Sequence, residues 1–177
     1  INFFLIIISS KNMLLKKISV KISQVLIIIY PLLAVISILA TIFSSKVSFL
    51  GKVNEILDNR LSYGFLAIGK YGLSLFGSTI KFYGNGWGTE TTQSSYFYVD
   101  NGYLYTGLVY GVIILAFFCI MLSIVGFRIR QKTSVLTLIL FFIAFSALGE
   151  PRFINFLYNP FLFSISYYVF FKKRNYN

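Results

Sequence analysis

The stretch KISQVLIIIYPLLAVISILATIF, residues 21–43, decides the fold of this chain. After Lys21 it contains no charged side chain, and it has roughly the 20 apolar residues that a helix needs to cross a bilayer. Pro31 lies inside it, and a proline kink is tolerated in a membrane helix that packs against others. The sequence therefore predicts a membrane-spanning helix from about Ile22 to Phe43.

Three further apolar stretches predict spans at about Tyr103–Phe127, Thr133–Leu148 and Asn155–Phe171. The link from Gly149 to Arg152 is short, so the last two would form a tight hairpin. Hydrophobic residues make up 57% of the chain and the mean hydropathy is +0.78, values that a soluble domain rarely reaches. The predicted fold class is an all-α integral membrane protein, a helical bundle of four spans.

The chain opens with Phe3–Ile8, an apolar stub too short to span a bilayer. We interpret this stub as the end of an upstream helix, and the chain as the C-terminal part of a longer membrane protein. The alternative is a translation start at Met13. Both interpretations predict the same topology.

Basic residues fix the predicted orientation because basic loops are retained on the cytoplasmic side. They form three runs between the apolar stretches: Lys11, Lys16, Lys17 and Lys21; Arg128, Arg130 and Lys132; and Lys172, Lys173 and Arg174. Four spans place all three runs on one side. The predicted organisation is a stub, basic loop and first span (1–43), an extracellular loop (44–102), three further spans (103–171) and a basic cytoplasmic tail (172–177).

Composition also excludes several function classes. The net charge of +11 comes mainly from the three basic runs, so we interpret it as topological and expect no nucleic-acid partner. The chain has no histidine, which removes His-ligated metals and Ser–His or Cys–His nucleophilic pairs. Its one cysteine, Cys119, lies in an apolar run, where a packing role is expected. No carboxylate cluster has metal-ligand spacing, so we expect neither a metal nor a cofactor.

The outer loop divides into two parts. Apolar residues recur at helical intervals from Leu50 to Phe76, which predicts an amphipathic helix on the outer membrane interface, broken at glycines 64, 69 and 72. The sequence from Gly77 to Gly102 is polar and rich in turn residues, which predicts an ordered or lid-like loop.

Arg60 is the first candidate for catalysis, because a guanidinium is always charged and binds phosphate through two parallel hydrogen bonds. The alternatives are a local ion pair with Asp58 or Glu55, or contact with a lipid headgroup. Asn59, directly beside it, is a candidate for substrate binding.

Asp100, Glu150 and Arg152 are the other catalytic candidates. Asp100 precedes the second span, where a carboxylate could cap the helix or act in catalysis. Glu150 and Arg152 lie in the turn between the last two spans, where a charged pair needs water or a partner. The alternative for this pair is a cap on a surface hairpin.

Lys70 and Trp87 are candidates for substrate binding. Lys70 could approach a phosphate or extend its ammonium toward lipid headgroups. Trp87, flanked by glycines, could stack on a sugar or anchor the loop at the membrane interface. The residue types leave both alternatives open.

Three segments resemble Wzy-type oligosaccharide repeat-unit polymerases of Gram-positive capsule and exopolysaccharide clusters. They are 54–64 with 70–77 (NEILDNRLSYG and KYGLSLFG), 98–104 (YVDNGYL) with Tyr110-Gly111, and 149–152 (GEPR) through 158–161 (YNPF). They occur in the order expected for that family and cover most of the chain from about Leu50 onward. This chain is shorter than the family, whose members have roughly ten or more spans.

The resemblance implies a membrane glycosyltransferase acting on the outer face. A growing glycan would pass from its undecaprenyl-pyrophosphate carrier to a fresh lipid-linked repeat unit. By the same resemblance, Arg60 and Arg152 would stabilise the departing pyrophosphate, and Asp100 or Glu150 would deprotonate the acceptor hydroxyl. The implied partners are undecaprenyl-pyrophosphate-linked oligosaccharides, membrane lipids, and a flippase and chain-length regulator of the same pathway.

Other functions remain open at this stage. A glycan ligase of related architecture would also use outer arginines. A polysaccharide flippase or other transporter would carry charged residues within its spans, and the predicted spans have none at their centres. A membrane scaffold or a degenerate remnant of a polymerase is a third alternative, whereas an acyltransferase is disfavoured by the absence of histidine.

Overall fold

A computed structural model describes residues 13–82, 97–129 and 135–171 of the 177-residue chain. Most of these residues are helical, and none of them forms a β-strand. The α-helices, numbered α1 to α6, are Met13–Phe43, Ser48–Ile56, Arg60–Tyr71, Gly102–Val109, Val112–Ile129 and Val135–Ser146. A 3-10 turn (Pro160–Leu162), one α-helical turn (Phe163–Ile165) and a π-helical segment (Ser166–Phe171) follow.

In the described part of the chain, two helices are long and apolar enough to cross a membrane: Gln24–Phe43, within α1, and Val112–Ile129, which is α5. The apolar part of α6, Leu136–Ser146, is shorter. The helical fold class is thus confirmed, and two of the predicted spans have candidate helices among the described residues.

The predicted second span is divided. Helix α4 ends at Val109, and α5 begins at Val112 after Gly111, whose φ of +96° favours glycine. Backbone groups released by this break are satisfied by the segment 74–78. Ser78 N donates to Leu108 O at 2.9 Å, and Val112 N donates to Ser74 O at 3.0 Å. Such pairing is what permits a helix to break within an apolar setting.

The predicted third span corresponds to α6, Val135–Ser146, which is short for a span. The predicted fourth span differs from the structure, because no continuous α-helix runs from Asn155 to Phe171. Pro160 explains the interruption because it lacks an N–H and disfavours the helical conformation of the preceding residue. That residue, Asn159, is buried, and its Nδ2 donates to Phe153 O at 2.9 Å.

The predicted amphipathic element forms two helices, α2 and α3, but the break is not at the predicted glycines. It lies at Asp58 and Asn59, which have φ values of +49° and +61°. Gly64 and Gly69 lie inside α3, and only Gly72 interrupts, with a φ of +70° just after the helix ends. Asparagine and aspartate tolerate the left-handed region because their short side chains form local hydrogen bonds.

The chain divides into two compact units. The first comprises the described parts of Ile1–Leu33, Phe117–Ser146 and Arg152–Asn177, and the second those of Ala34–Ala116 and Ala147–Pro151. In the first unit, the Tyr30 hydroxyl donates to Leu140 O at 2.6 Å.

In the second unit, a buried core joins α3, α4 and the segment before α4. It consists of Ala67, Val99, Leu104 and Leu108. Partly buried apolar residues pack against this core: Ile38, Ile68, Leu73, Ile80, Phe82, Phe97 and Tyr105.

Candidate functional site

An ion pair between Arg60 and Asp100 forms the centre of the candidate site. Arg60 Nε lies 3.3 Å from Asp100 Oδ2, and the two side chains are 49% and 21% exposed. Arg60 begins α3, whereas Asp100 belongs to the segment that leads into α4. The partner of Arg60 is therefore distant in sequence, and not the local Asp58 or Glu55 that the sequence offered as alternatives.

The turn before α3 places Arg60 through the side chain of Asn54. Asn54 is 8% exposed, and its Nδ2 donates to Asn59 Oδ1 at 3.1 Å and to Ser62 Oγ at 2.8 Å. Its Oδ1 accepts from Ser62 N at 3.1 Å. Because these bonds join α2 to residues on both sides of Arg60, they fix the first turn of α3. We call Asn54, Asn59 and Ser62 the amide clamp.

Asn59 belongs to this clamp and lies in the turn with a left-handed backbone. Its N donates to Asn54 O at 2.8 Å, and its side-chain oxygen is engaged by Asn54. This arrangement gives Asn59 a clear structural role, whatever it contributes to substrate binding.

Asp100 is held by the residues that follow it. Asn101 caps α4, since its Oδ1 accepts from Leu104 N at 3.0 Å. Gly102 N donates to Ala147 O at 2.7 Å, which ties the start of α4 to the segment after α6. The cap is therefore Asn101, and the Asp100 carboxylate is directed to Arg60 instead.

The backbone of Gly149 borders the same guanidinium. A Cβ atom built on Gly149 would lie 3.9 Å from one terminal nitrogen of Arg60. Three segments of the second unit thus meet: the start of α3, the residues before α4 and the segment 147–149. Glu150, the next residue along the chain, is exposed.

Arg152 belongs to the first unit, and its guanidinium lies 4.7 Å from the centroid of the Tyr158 ring. This is the geometry of a cation–π contact. The structure describes Arg152 in this setting.

Lys70 lies near the other end of α3, about 15 Å along the helix axis from Arg60 at 1.5 Å per residue. Its Nζ is 5.3 Å from the centroid of the Tyr71 ring and 5.5 Å from that of Phe97. Phe97 also packs near Phe82, with ring centroids 6.1 Å apart. Lys70 is therefore held among aromatic rings and does not join Arg60.

Trp87, the remaining candidate for substrate binding, lies outside the described residues. Among the residues that are described, no group of three or more His, Cys, Asp or Glu side chains could hold a metal ion.

The site can hold an anion at Arg60. A guanidinium has five N–H donors in a planar fork, and the one at Nε faces Asp100. Half of the side chain is exposed, which leaves room for a doubly charged oxyanion to replace solvent on it. Asp100 restricts the rotation of the guanidinium, so the Arg60 fork is oriented before a ligand arrives.

Sequence reasoning missed Asn54 and Ser62, and it considered Asp100, not Asn101, as the cap of the following helix. The signal for Asn101 is visible, because Asn-Gly directly before an apolar helical run is a typical helix start. Asn54 gives no such signal, since its value depends on Ser62 in the next helix.

Comparison with known proteins adds no identification: no family model, no curated protein and no solved structure matches this chain.

Proposed function

We propose that this chain is part of a membrane polymerase of polysaccharide repeat units, in which Arg60 binds the pyrophosphate of a lipid-linked glycan. The observation that carries the proposal is the half-exposed guanidinium of Arg60, oriented by Asp100 and bordered by the backbone of Gly149. The segment resemblance to Wzy-type polymerases and the two apolar helices support the same assignment.

The proposed reaction forms one glycosidic bond and breaks one bond to phosphate. A hydroxyl oxygen of the acceptor repeat unit attacks the anomeric carbon of the growing glycan. The bond from that carbon to the pyrophosphate oxygen breaks, and undecaprenyl pyrophosphate leaves with the electron pair. The hydroxyl proton passes to a base, and the elongated glycan remains on the carrier lipid of the acceptor.

Arg60 has the role of stabilising the leaving group. Negative charge grows on the pyrophosphate as the bond breaks, and an oriented cation beside it lowers the barrier. Removing one such oriented donor costs roughly 10²–10³ in rate in well-studied enzymes.

The two carboxylates, Asp100 and Glu150, have different roles. Asp100 is committed to Arg60, so we assign it to positioning rather than to proton transfer. Glu150 follows Gly149, whose backbone borders the guanidinium, and it is exposed. We therefore assign the general base to Glu150, and a carboxylate within reach of the acceptor hydroxyl suits that role.

The proposed topology follows the charge pattern. Gln24–Phe43 and Val112–Ile129 cross the membrane, the basic runs lie in the cytoplasm, and residues 44–102 lie outside, where lipid-linked repeat units await polymerisation.

The test replaces Arg60 by Ala and by Lys in cells that polymerise the glycan. Both variants should lose long glycan chains while their amount in the membrane stays normal, because Lys keeps the charge but not the bidentate fork. Lys81→Ala, another exposed cation of the same unit, is the matched control and should leave chain length normal.

Two outcomes would contradict the proposal. Normal chain lengths in both Arg60 variants would remove the polymerase assignment. Transfer of finished chains to a different acceptor, with no elongation on lipid-linked repeat units, would identify a glycan ligase instead.

A further inference from the structure

The exposed side of α2 carries two large apolar side chains. Phe49 and Ile56 are 71% and 80% exposed, and their seven-residue separation places them within about 20° of each other around the helix. This face differs from the stripe that the sequence pattern predicted, because Leu50 and Val53 of that stripe are partly buried in the second unit.

The buried face of α2 is mixed. Leu50 and Val53 are partly buried on it, and Asn54, roughly 140° around the helix from Phe49, forms the amide clamp with Asn59 and Ser62. A helix on a water-soluble protein usually keeps its large apolar side chains on the buried face. Phe49 and Ile56 depart from this rule, and such side chains are stable where the outer surroundings are apolar.

The position of α2 in the chain puts such surroundings close to it. Lys46 N and Val47 N both donate to Phe43 O, at 3.0 and 3.1 Å, so α2 begins directly after the candidate span Gln24–Phe43. Exposed apolar side chains, including Leu39 and Phe43, continue along that span. Phe49 and Ile56 thus follow closely on a helix that itself exposes apolar side chains and is a candidate membrane span.

Lys46 and Lys52 are also placed as expected for a helix at the membrane surface. Both are exposed, one just before α2 and one within it. Basic side chains beside an apolar face are typical of helices that lie in the membrane surface, because they contact anionic headgroups while the apolar residues enter the acyl region.

We propose that α2 is an anchor lying in the plane of the membrane, with Phe49 and Ile56 inserted into the lipid surface. The amide clamp then transmits this position to the first turn of α3, so the lipid contact sets the depth of Arg60 relative to the headgroups. The proposal concerns lipid contact alone and holds whether or not the chain polymerises a glycan.

The test uses the full chain in vesicles of phosphatidylcholine and phosphatidylglycerol. Trp87 is the only tryptophan, so Trp87→Phe provides a background without tryptophan emission. Phe49→Trp, Ile56→Trp and Glu55→Trp are then placed in it one at a time. Glu55 is exposed but lies about 120° around α2 from Phe49, which makes it the matched control.

We expect brominated acyl chains to quench tryptophan at positions 49 and 56 about twofold or more compared with position 55, and aqueous acrylamide to show the reverse order. Equal acrylamide quenching at all three positions, with no effect of bromine, would show a water-facing helix and overturn the proposal. Protection from both quenchers would show that protein, and not lipid, covers the face, and would also overturn it.

A second set of variants guards against a failure of the Trp87→Phe background to fold. Cys119 is the only cysteine and is buried, so Cys119→Ser with Phe49→Cys, Ile56→Cys or Glu55→Cys carries one nitroxide label each. Preferential collision with oxygen over a water-soluble nickel chelate at positions 49 and 56, and not at 55, supports lipid insertion. The same collision ratio at all three positions contradicts it.

Discussion

Gly77 and Gly111 approach each other so closely that neither position has room for a side chain. A Cβ atom on Gly111 would lie 2.6 Å from Gly77 N and 2.2 Å from Leu75 O, and one on Gly77 would lie 2.2 Å from Val109 O. Both residues also have positive φ values, +83° and +96°. This contact allows segment 74–78 to form hydrogen bonds with the residues on either side of the break between α4 and α5. The predicted second span is therefore held as two helices.

Gly111→Ala should therefore destabilise the protein by several kcal/mol, because strained backbone alone costs about 1–3 kcal/mol and a clash with backbone atoms adds to it. Gly77→Ala should have a similar effect. The measurement is thermal unfolding of the purified chain in detergent, followed by circular dichroism.

Gly69→Ala is the matched control for both variants. Gly69 lies inside α3, and a Cβ there would meet nothing within 4 Å. Alanine at this position should stabilise the helix by about 0.5–1 kcal/mol. Equal unfolding temperatures for Gly111→Ala and Gly69→Ala would contradict the close approach.

The left-handed turn at Asn59 gives a second prediction. Asn59→Ala and Asn59→Gly both remove the hydrogen bond from Asn54, so they differ mainly in the backbone conformation they allow. With φ at +61°, the alanine variant should be less stable than the glycine variant by roughly 1–2 kcal/mol. Chemical unfolding monitored by circular dichroism measures this difference.

Glu55 provides the reversed comparison. It lies within α2, where alanine is favoured over glycine by about 0.8–1 kcal/mol. The stability order of Ala and Gly should therefore invert between positions 55 and 59. The same order at both positions would argue against a left-handed turn.

The ion pair of Arg60 and Asp100 gives a third prediction, which rests on the proposed function. Asp100→Asn should change the free energy of unfolding by less than about 1 kcal/mol, because partly exposed ion pairs contribute little to stability. Chain elongation should nevertheless fall by roughly 10–100-fold, since a misplaced catalytic group has effects of that size. Glycan length on gels, with membrane protein amounts as a reference, checks both.

Asp58→Asn is the control for this experiment, because Asp58 is an exposed carboxylate in the turn just before Arg60. It should elongate glycans normally. A charge swap, Arg60→Asp with Asp100→Arg, restores the pair but moves the guanidinium, so it should leave stability near that of the unmodified chain without recovering elongation. Normal elongation in Asp100→Asn would remove the positioning role.

The sequence predicted the features that depend on local pattern. The helix containing Gln24–Phe43 follows from length and hydropathy, and the helical character of 50–71 follows from apolar spacing. The prediction placed the break between α2 and α3 at glycines, because glycine is the usual residue for such a break. Asp58 and Asn59 form it instead, since the buried amide of Asn54 stabilises that turn.

Features that depend on contacts between distant segments could not be predicted. Arg60 had Asp58 and Glu55 nearby in the sequence, and one sequence gives no reason to prefer Asp100. The break at Gly111 was visible only as a glycine in an apolar run, because its stability comes from hydrogen bonds with Ser74, Leu75 and Ser78. The candidate site therefore required the structure, although Arg60 and Asp100 were both named from their chemistry.

A last prediction compares two helix glycines that lie against different kinds of atoms. A Cβ on Gly126 would lie 2.8 Å from Leu26 Cβ and 3.1 Å from the Leu26 carbonyl carbon. One on Gly64 would lie 2.8 Å from Leu104 Cδ2 and 3.0 Å from Thr41 Cγ2. At Gly126 the nearby atoms are the Cβ and the rigid backbone of Leu26, whereas at Gly64 they include the end of the Leu104 side chain, which can rotate.

Gly126→Ala should therefore lower the free energy of unfolding by about 1–3 kcal/mol, and Gly64→Ala should lower it by distinctly less. Thermal unfolding in detergent measures both. Leu26→Ala keeps its Cβ and backbone, so it should not rescue Gly126→Ala. Leu104→Ala removes Cδ2, the atom that a methyl at position 64 would meet. The double variant Gly64→Ala with Leu104→Ala should therefore have a higher free energy of unfolding than the sum of the two single effects predicts. Two results would contradict these contacts. One is recovery of stability when Leu26→Ala is added to Gly126→Ala, and the other is a purely additive effect of Gly64→Ala and Leu104→Ala.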